Sequence, residues 1–219
     1  MHGYAPQLIN FLAAVLLLLS FAMLSQRRIL SLIHLYTLQG VALVLANLIL
    51  GIVTGDAHLY VSAGLTVVLK VGVIPWILYR LVRRLNVQAD VEPLINIPTT
   101  LLIGIVLVIV AFNVAAPISQ LATSVARGTL GIALACVLLS FMAMITRAKA
   151  IPQVIGFLSM ENGLFFAATA ATNGMPMIVE LGIGLDVLVG ILILGVFMFQ
   201  IREQFDSLDI HHLEKLKDE

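Results

Sequence analysis

Charge is scarce in this chain, and cysteine scarcer still. Twelve basic and twelve acidic residues make up 11% of 219 positions and cancel to a formal net charge of zero. A soluble domain carries about 25% charged residues, so a solvated globule is excluded. A nucleic-acid partner is excluded too, because the basic residues sit in short clusters with no net excess. Cys136 is the single cysteine, which rules out an intrachain disulfide and a cysteine-held metal or iron–sulfur centre. Residues 1–7 contain no Lys or Arg, so they do not read as the n-region of a cleaved signal peptide, and the first apolar run is taken as retained.

What fills the chain instead is hydrocarbon. Hydrophobic residues are 61% of the sequence and mean hydropathy is +1.09, the profile of a polytopic membrane protein. Apolar runs of about 17–25 residues each predict an all-α bundle of seven spans: 7–24, 29–53, 59–81, 97–115, 128–145, 151–171 and 177–201. Arg27 and Arg28, then Arg80, Arg83 and Arg84, then Arg147 and Lys149, then Arg202, Lys215 and Lys217 all fall on one side of that arrangement. Arg127 alone faces the other. The positive-inside rule then puts the C-terminus in the cytoplasm and the N-terminus outside. The tail 204–219 is the one sizeable soluble stretch. Its adjacent His211 and His212 cannot face one site on a helix, so they read as solvated.

Against this background the polar residues inside the spans stand out. Glu161 lies ten residues from either end of 151–171, roughly 15 Å deep from both sides. A carboxylate there costs several kcal/mol by the lower estimates, so its retention points to function. Burial and a cationic neighbour such as Lys70 pull its protonation in opposite senses, which suits a group that exchanges a proton. Asp186 reaches nearly the same depth one span later, with Gly182 and Gly190 four residues either side to admit a neighbouring backbone. Lys70 is about 16 Å deep in the third span, and Pro75 five residues on blocks the hydrogen bond to the Val71 carbonyl; together they predict a kinked, hydrated spot. His34, near the cytoplasmic edge of the second span, is either an interfacial histidine or a point where protons arrive. Gln39 reads as interhelical hydrogen-bonding glue and Asn162 as a support beside Glu161. Glu180 lies near the outer mouth, on a different face from Asp186.

The chain also repeats itself. Arg27-Arg28 followed by Ile33 to Gly40 parallels Lys149 followed by Ile155 to Gly163, with Glu161 opposite Leu38 and Asn162 opposite Gln39. Leu69-Lys70-Val71 parallels Leu185-Asp186-Val187 when a gap is allowed. Met160-Glu161-Asn162-Gly163, the run from Val179 to Asp186, Leu69-Lys70-Val71 with Pro75, and the ending Ser207-Leu208-Asp209-Ile210 carry a resemblance over nearly the whole chain. It resembles hydrogenase-4 component E, the HyfE-type membrane subunit of formate hydrogenlyase and related group 4 [NiFe]-hydrogenases. Each repeat unit is similar to the three-span NuoK subunit of complex I and to MrpC of cation antiporters.

That resemblance implies two NuoK-like three-span units, 1–96 and 128–203, joined by a linking helix and loop at 97–127 and followed by a cytoplasmic tail at 204–219. It implies a non-catalytic membrane-arm subunit in a bacterial or archaeal cytoplasmic membrane. Its partners would be antiporter-like subunits, a complex I membrane-anchor-like subunit and a hydrophilic redox arm, on which any NiFe and Fe–S centres would sit. Glu161 matches the first of two buried proton-path glutamates, Asp186 approximates the second, and Lys70 takes the second position of the first unit with opposite charge. Two other readings stay open from the sequence: a subunit of a multisubunit cation/proton antiporter, and a structural spacer.

Overall fold

The computed structural model describes residues 4–55, 57–84, 94–119, 124–172 and 188–190. Among these, every regular element is helical: α1 (Ala5–Ser25), α2 (Ile29–Thr54), α3 (Ala57–Thr66), a π-helical segment (Val67–Val73), α4 (Ile74–Arg84), α5 (Ile97–Ser119), α6 (Ser124–Ile145) and α7 (Ala150–Thr172). Among the described residues, four stretches are long and apolar enough to cross a membrane: Ala5–Ser25, Ile29–Thr54, Leu59–Arg83 and Ile97–Pro117. Thr129–Ile145 is apolar but shorter, and most of the run 177–201 lies outside the described residues.

Local chemistry sets the boundaries. Pro6, Pro98 and Pro152 fall in the first turns of α1, α5 and α7, where a missing N–H removes no helical bond. α2 ends at Gly55, whose φ of 71° suits glycine and whose N–H closes on the Gly51 carbonyl at 2.9 Å. The third span is where the sequence argument needs amendment. Instead of a simple proline kink, Val67–Val73 widens into π-helix, and the Ile74 N–H bonds Leu69, five residues back. A wider turn moves the Val71 carbonyl away from the Pro75 ring, so the strain is absorbed before the proline.

α1, α2, α7 and α6 pack in a closed ring, each touching the next. α3 and the π-segment flank α2, and α5 flanks α6. Glycines set the close approaches. A Cβ on Gly40 would stand 3.3 Å from the Lys70 Cβ, and one on Gly51 3.3 Å from the Leu59 Cβ. Two apolar clusters join the ring to the helices that flank it. One gathers Ile29, Ile33, Tyr36, Leu78 and Ile155 at the basic-loop end; the other gathers Leu12, Leu16, Leu43, Leu50 and Phe165 at the opposite end. The outside is apolar as well: Leu102, Ile105, Val106 and Ile109 of α5 are exposed, a surface that hydrocarbon solvates and water does not.

One buried cation serves the fold. Arg147, between α6 and α7, is 2% exposed. It donates to the carbonyls of Gln26 at 2.8 Å and of Met23 and Leu24 at 3.0 Å each. These carbonyls close the last turn of α1, where acceptors run short of helical donors and only Met23 has another, the Gln26 N–H at 3.3 Å, and a planar guanidinium reaches all three at once. Burial lowers its pKa from the ordinary arginine value. Arg147→Ala is expected to destabilise the protein by about 2–3 kcal/mol, with Arg147→Lys falling between. Unfolding in detergent measures this; a wild-type midpoint would mean that the three bonds contribute nothing.

Candidate functional site: a charged slice between two apolar halves

The site lies between the two apolar clusters, at one level of the ring. α1 contributes Ser20, α2 Gln39, the π-segment Lys70, α6 Ser140, and α7 Ser159, Glu161 and Asn162, and all are buried. Lys70 is 0% exposed and Glu161 5%. The Lys70 Nζ donates to Asn162 Oδ1 at 2.8 Å and stands 3.4 Å from Glu161 Oε1. It also sits 5.4 Å from the centre of the Phe165 ring, within cation–π range.

From there the polar contacts run sideways across the bundle. Asn162 Nδ2 points to Gln39 Oε1 at 3.5 Å, Gln39 Nε2 donates to Ser20 Oγ at 3.1 Å, and Ser20 Oγ donates to the Leu16 carbonyl at 3.0 Å. On the α6–α7 side the Ser140 and Ser159 hydroxyls share a hydrogen bond of 2.7 Å. Five helical elements therefore meet in one polar cross-section, with hydrocarbon above and below.

The electrostatics follow from the distances. Charge-assisted N–H···O bonds settle at about 2.7–2.9 Å, so the ammonium is seated on the neutral amide and held more loosely by the carboxylate. A carboxylate at 3.4 Å keeps most of the Coulomb attraction of a buried pair without a tight bond that must break first. Such an arrangement can relay a proton, or it can hold two charges still.

Of the residues singled out in the sequence, the structure brings Glu161, Lys70, Asn162 and Gln39 together. His34 stands apart. It precedes Gln39 by five residues, about 500° of helical rotation and thus some 140° away in azimuth. It is exposed and shares a 2.6 Å hydrogen bond with the Tyr79 hydroxyl, ring edge to ring face. Asp186, Glu180, His211 and His212 lie outside the described residues. The sequence singles out neither Ser20 nor the Ser140–Ser159 pair. A hydroxyl on an apolar helix gives no signal of which neighbour it will meet. Arg147 enters the sequence argument only as a basic residue on one side of the bundle, which carries no signal of its contacts with the end of α1. Among the described residues no group of three His, Cys, Asp or Glu side chains could hold a metal ion.

No protein-family model matches this chain, and no solved structure matches it. An alignment over 213 residues, 96% of this chain and 96% of the relative, pairs it at 35% identity with "Uncharacterized protein Rv0085" of Mycobacterium tuberculosis (strain H37Rv).

Proposed function

The chain belongs to the family of the Mycobacterium tuberculosis protein Rv0085, and from the charged slice inside its bundle we propose that it is a membrane-arm subunit of a complex-I-like, group 4 hydrogenase-related oxidoreductase complex, supplying buried charges to proton translocation. The observation that carries this reading is the Lys70–Glu161–Asn162 cluster. A lysine and a glutamate are kept at mid-span depth, next to a pliant amide, on two elements far apart in sequence. Charges in that position are costly and are retained where a proton or ion must pass. The resemblance of Met160–Gly163 to NuoK-type units gives the same assignment to Glu161 and extends it to Asp186, and Glu180, near the outer mouth, joins them by position. On this reading redox chemistry sits on partner subunits and perturbs the pairing from a distance, and the N-terminus faces outside. Each charge moved works against about 2.3 kcal/mol per 100 mV.

Two measurements test it. Mass spectrometry of the assembly extracted intact from its native membrane should find antiporter-like subunits together with a large hydrogenase-type subunit. Antiporter subunits without it would favour the cation/proton antiporter. Glu161→Gln, which keeps shape and hydrogen bonding, should cut proton flux in native membrane vesicles at least tenfold while the assembly survives.

A spacer role is favoured by one specific observation: both charges are sealed from solvent and already face each other. Buried pairs of that kind also serve as registry devices. Wild-type flux in the Glu161→Gln assembly would establish the spacer and end the relay reading.

A further inference from the structure

The apolar half on the far side of the slice from the basic loops is not uniformly apolar. Asn47 of α2 and Ser62 of α3 are each 1% exposed, and neither the Asn47 Nδ2 nor the Ser62 Oγ has a hydrogen-bond partner among the described residues. Their neighbours behave differently. Ser20, Thr37, Thr54, Thr66 and Thr169 each return the hydroxyl to the carbonyl four residues earlier. That bond is the ordinary way to place a hydroxyl inside an apolar helix pair. Ser62 has the same option in principle and does not use it.

The two groups are also level with each other. The close approaches of Gly51 to Leu59 and of Gly40 to Lys70 show α2 and the third span running antiparallel in a fixed register. Counting four residues back from Gly51 and four on from Leu59 sets Asn47 opposite residue 63, beside Ser62. A buried amide and a buried hydroxyl left unsatisfied would cost about 1–3 kcal/mol each. Both sit in the seam between two helices. A cation offers the amide N–H groups no acceptor, and an anion would have no charge to meet. Water accepts from the amide and donates to the hydroxyl. It serves equally well if the amide is turned over, because it can reverse both roles.

Ser62, Thr66 and Lys70 recur at four-residue spacing and are 1%, 2% and 0% exposed. They form one inward stripe, in steps of about 6 Å that a single water can span. We propose that Asn47 and Ser62 hold a buried water between α2 and α3, and that this water and Thr66 extend the polar path of the Lys70–Glu161 cluster along the seam to the level of Asn47. The second half of the proposal rests on the relay reading above; the first half stands without it.

The test uses the full chain in its extracted assembly, in nanodiscs, with water itself as the ligand. A high-resolution map should show a density peak within about 3.2 Å of both Asn47 and Ser62. Ser62→Ala combined with Asn47→Leu should remove the peak and lower proton flux at least tenfold in vesicles. Ser62→Thr, which keeps the hydroxyl, should retain both and controls for folding. A direct Asn47–Ser62 bond, or a map without the peak, overturns the site. A peak that disappears while flux stays at wild type overturns the connection. If Glu161→Gln leaves flux unchanged, the relay reading fails by itself, and the map still decides the water.

Discussion

Lys70→Met is expected to destabilise the protein by about 3 kcal/mol, and Lys70→Met combined with Glu161→Gln is expected to recover most of that loss. The reason is the asymmetry of buried pairs. Removing the cation takes away the ammonium that stands 3.4 Å from Glu161 Oε1, while the carboxylate stays 5% exposed. Breaking a buried pair from one side costs about 3–5 kcal/mol, whereas removing both charges is often neutral. The neighbouring Asn162 and Gln39 can take up hydrogen bonds to the new amide, which holds the double variant within about 1 kcal/mol of wild type. Reversible unfolding in mixed detergent micelles gives the four corners of the cycle. If the double variant loses as much as the two single variants added together, the residues are uncoupled and the slice is not a unit. Stability and flux should also separate: the double variant folds and does not transport.

The second large effect concerns the seam between α6 and α7. A Cβ on Gly156 would lie 3.0 Å from both the Cα and the N of Met144, which are backbone atoms and cannot rotate away. Seven residues on, a Cβ on Gly163 would lie 3.0 Å from the Val137 Cγ2 and 3.2 Å from its N. The Ser140–Ser159 hydrogen bond of 2.7 Å sits between these two contacts. Gly156→Leu must therefore push two helices apart along a seam that glycine lets close, and the Ser140–Ser159 bond opens with it. We expect a loss of more than 3 kcal/mol, or failure to recover folded protein; Gly163→Ala should cost about 1–2 kcal/mol, since Val137 can yield a little. Gly64 is the control. No described atom lies within 4 Å of its Cβ position, so Gly64→Ala should be neutral or stabilising by about 0.5–1 kcal/mol. Equal thermal stability in Gly156→Leu and Gly64→Ala would refute the close-packed seam.

How much of this was legible beforehand varies by residue. The depth of Glu161 and Lys70 follows from counting along apolar runs, because a helix rises by a constant amount per residue. That count brought them to one level, and Lys70 could be named as a partner for Glu161. Gln39 was read as interhelical glue, and it does bridge Ser20 and Asn162. What could not be read is azimuth across helices. The pairing of His34 with Tyr79 joins residues 45 apart, and nothing in an apolar sequence fixes the rotation of one helix against another. The role of Arg147 was not legible for a related reason: nothing in a short basic loop announces that the end of α1 arrives beneath it. The π-segment was half legible, since Pro75 announced a disturbance without saying which form it takes.

That segment has a bearing on chain length. Between residues 67 and 73 the backbone takes a wider turn, so the third span contains slack that a uniform α-helix would not. Deleting one residue there would let the coil tighten with both flanking helices near their present places. What would change is the direction in which residue 70 projects: the ammonium would swing out of the cross-section toward a neighbouring face. A relative shortened by one position in this stretch could keep the same bundle and yet lack the inward-facing charge.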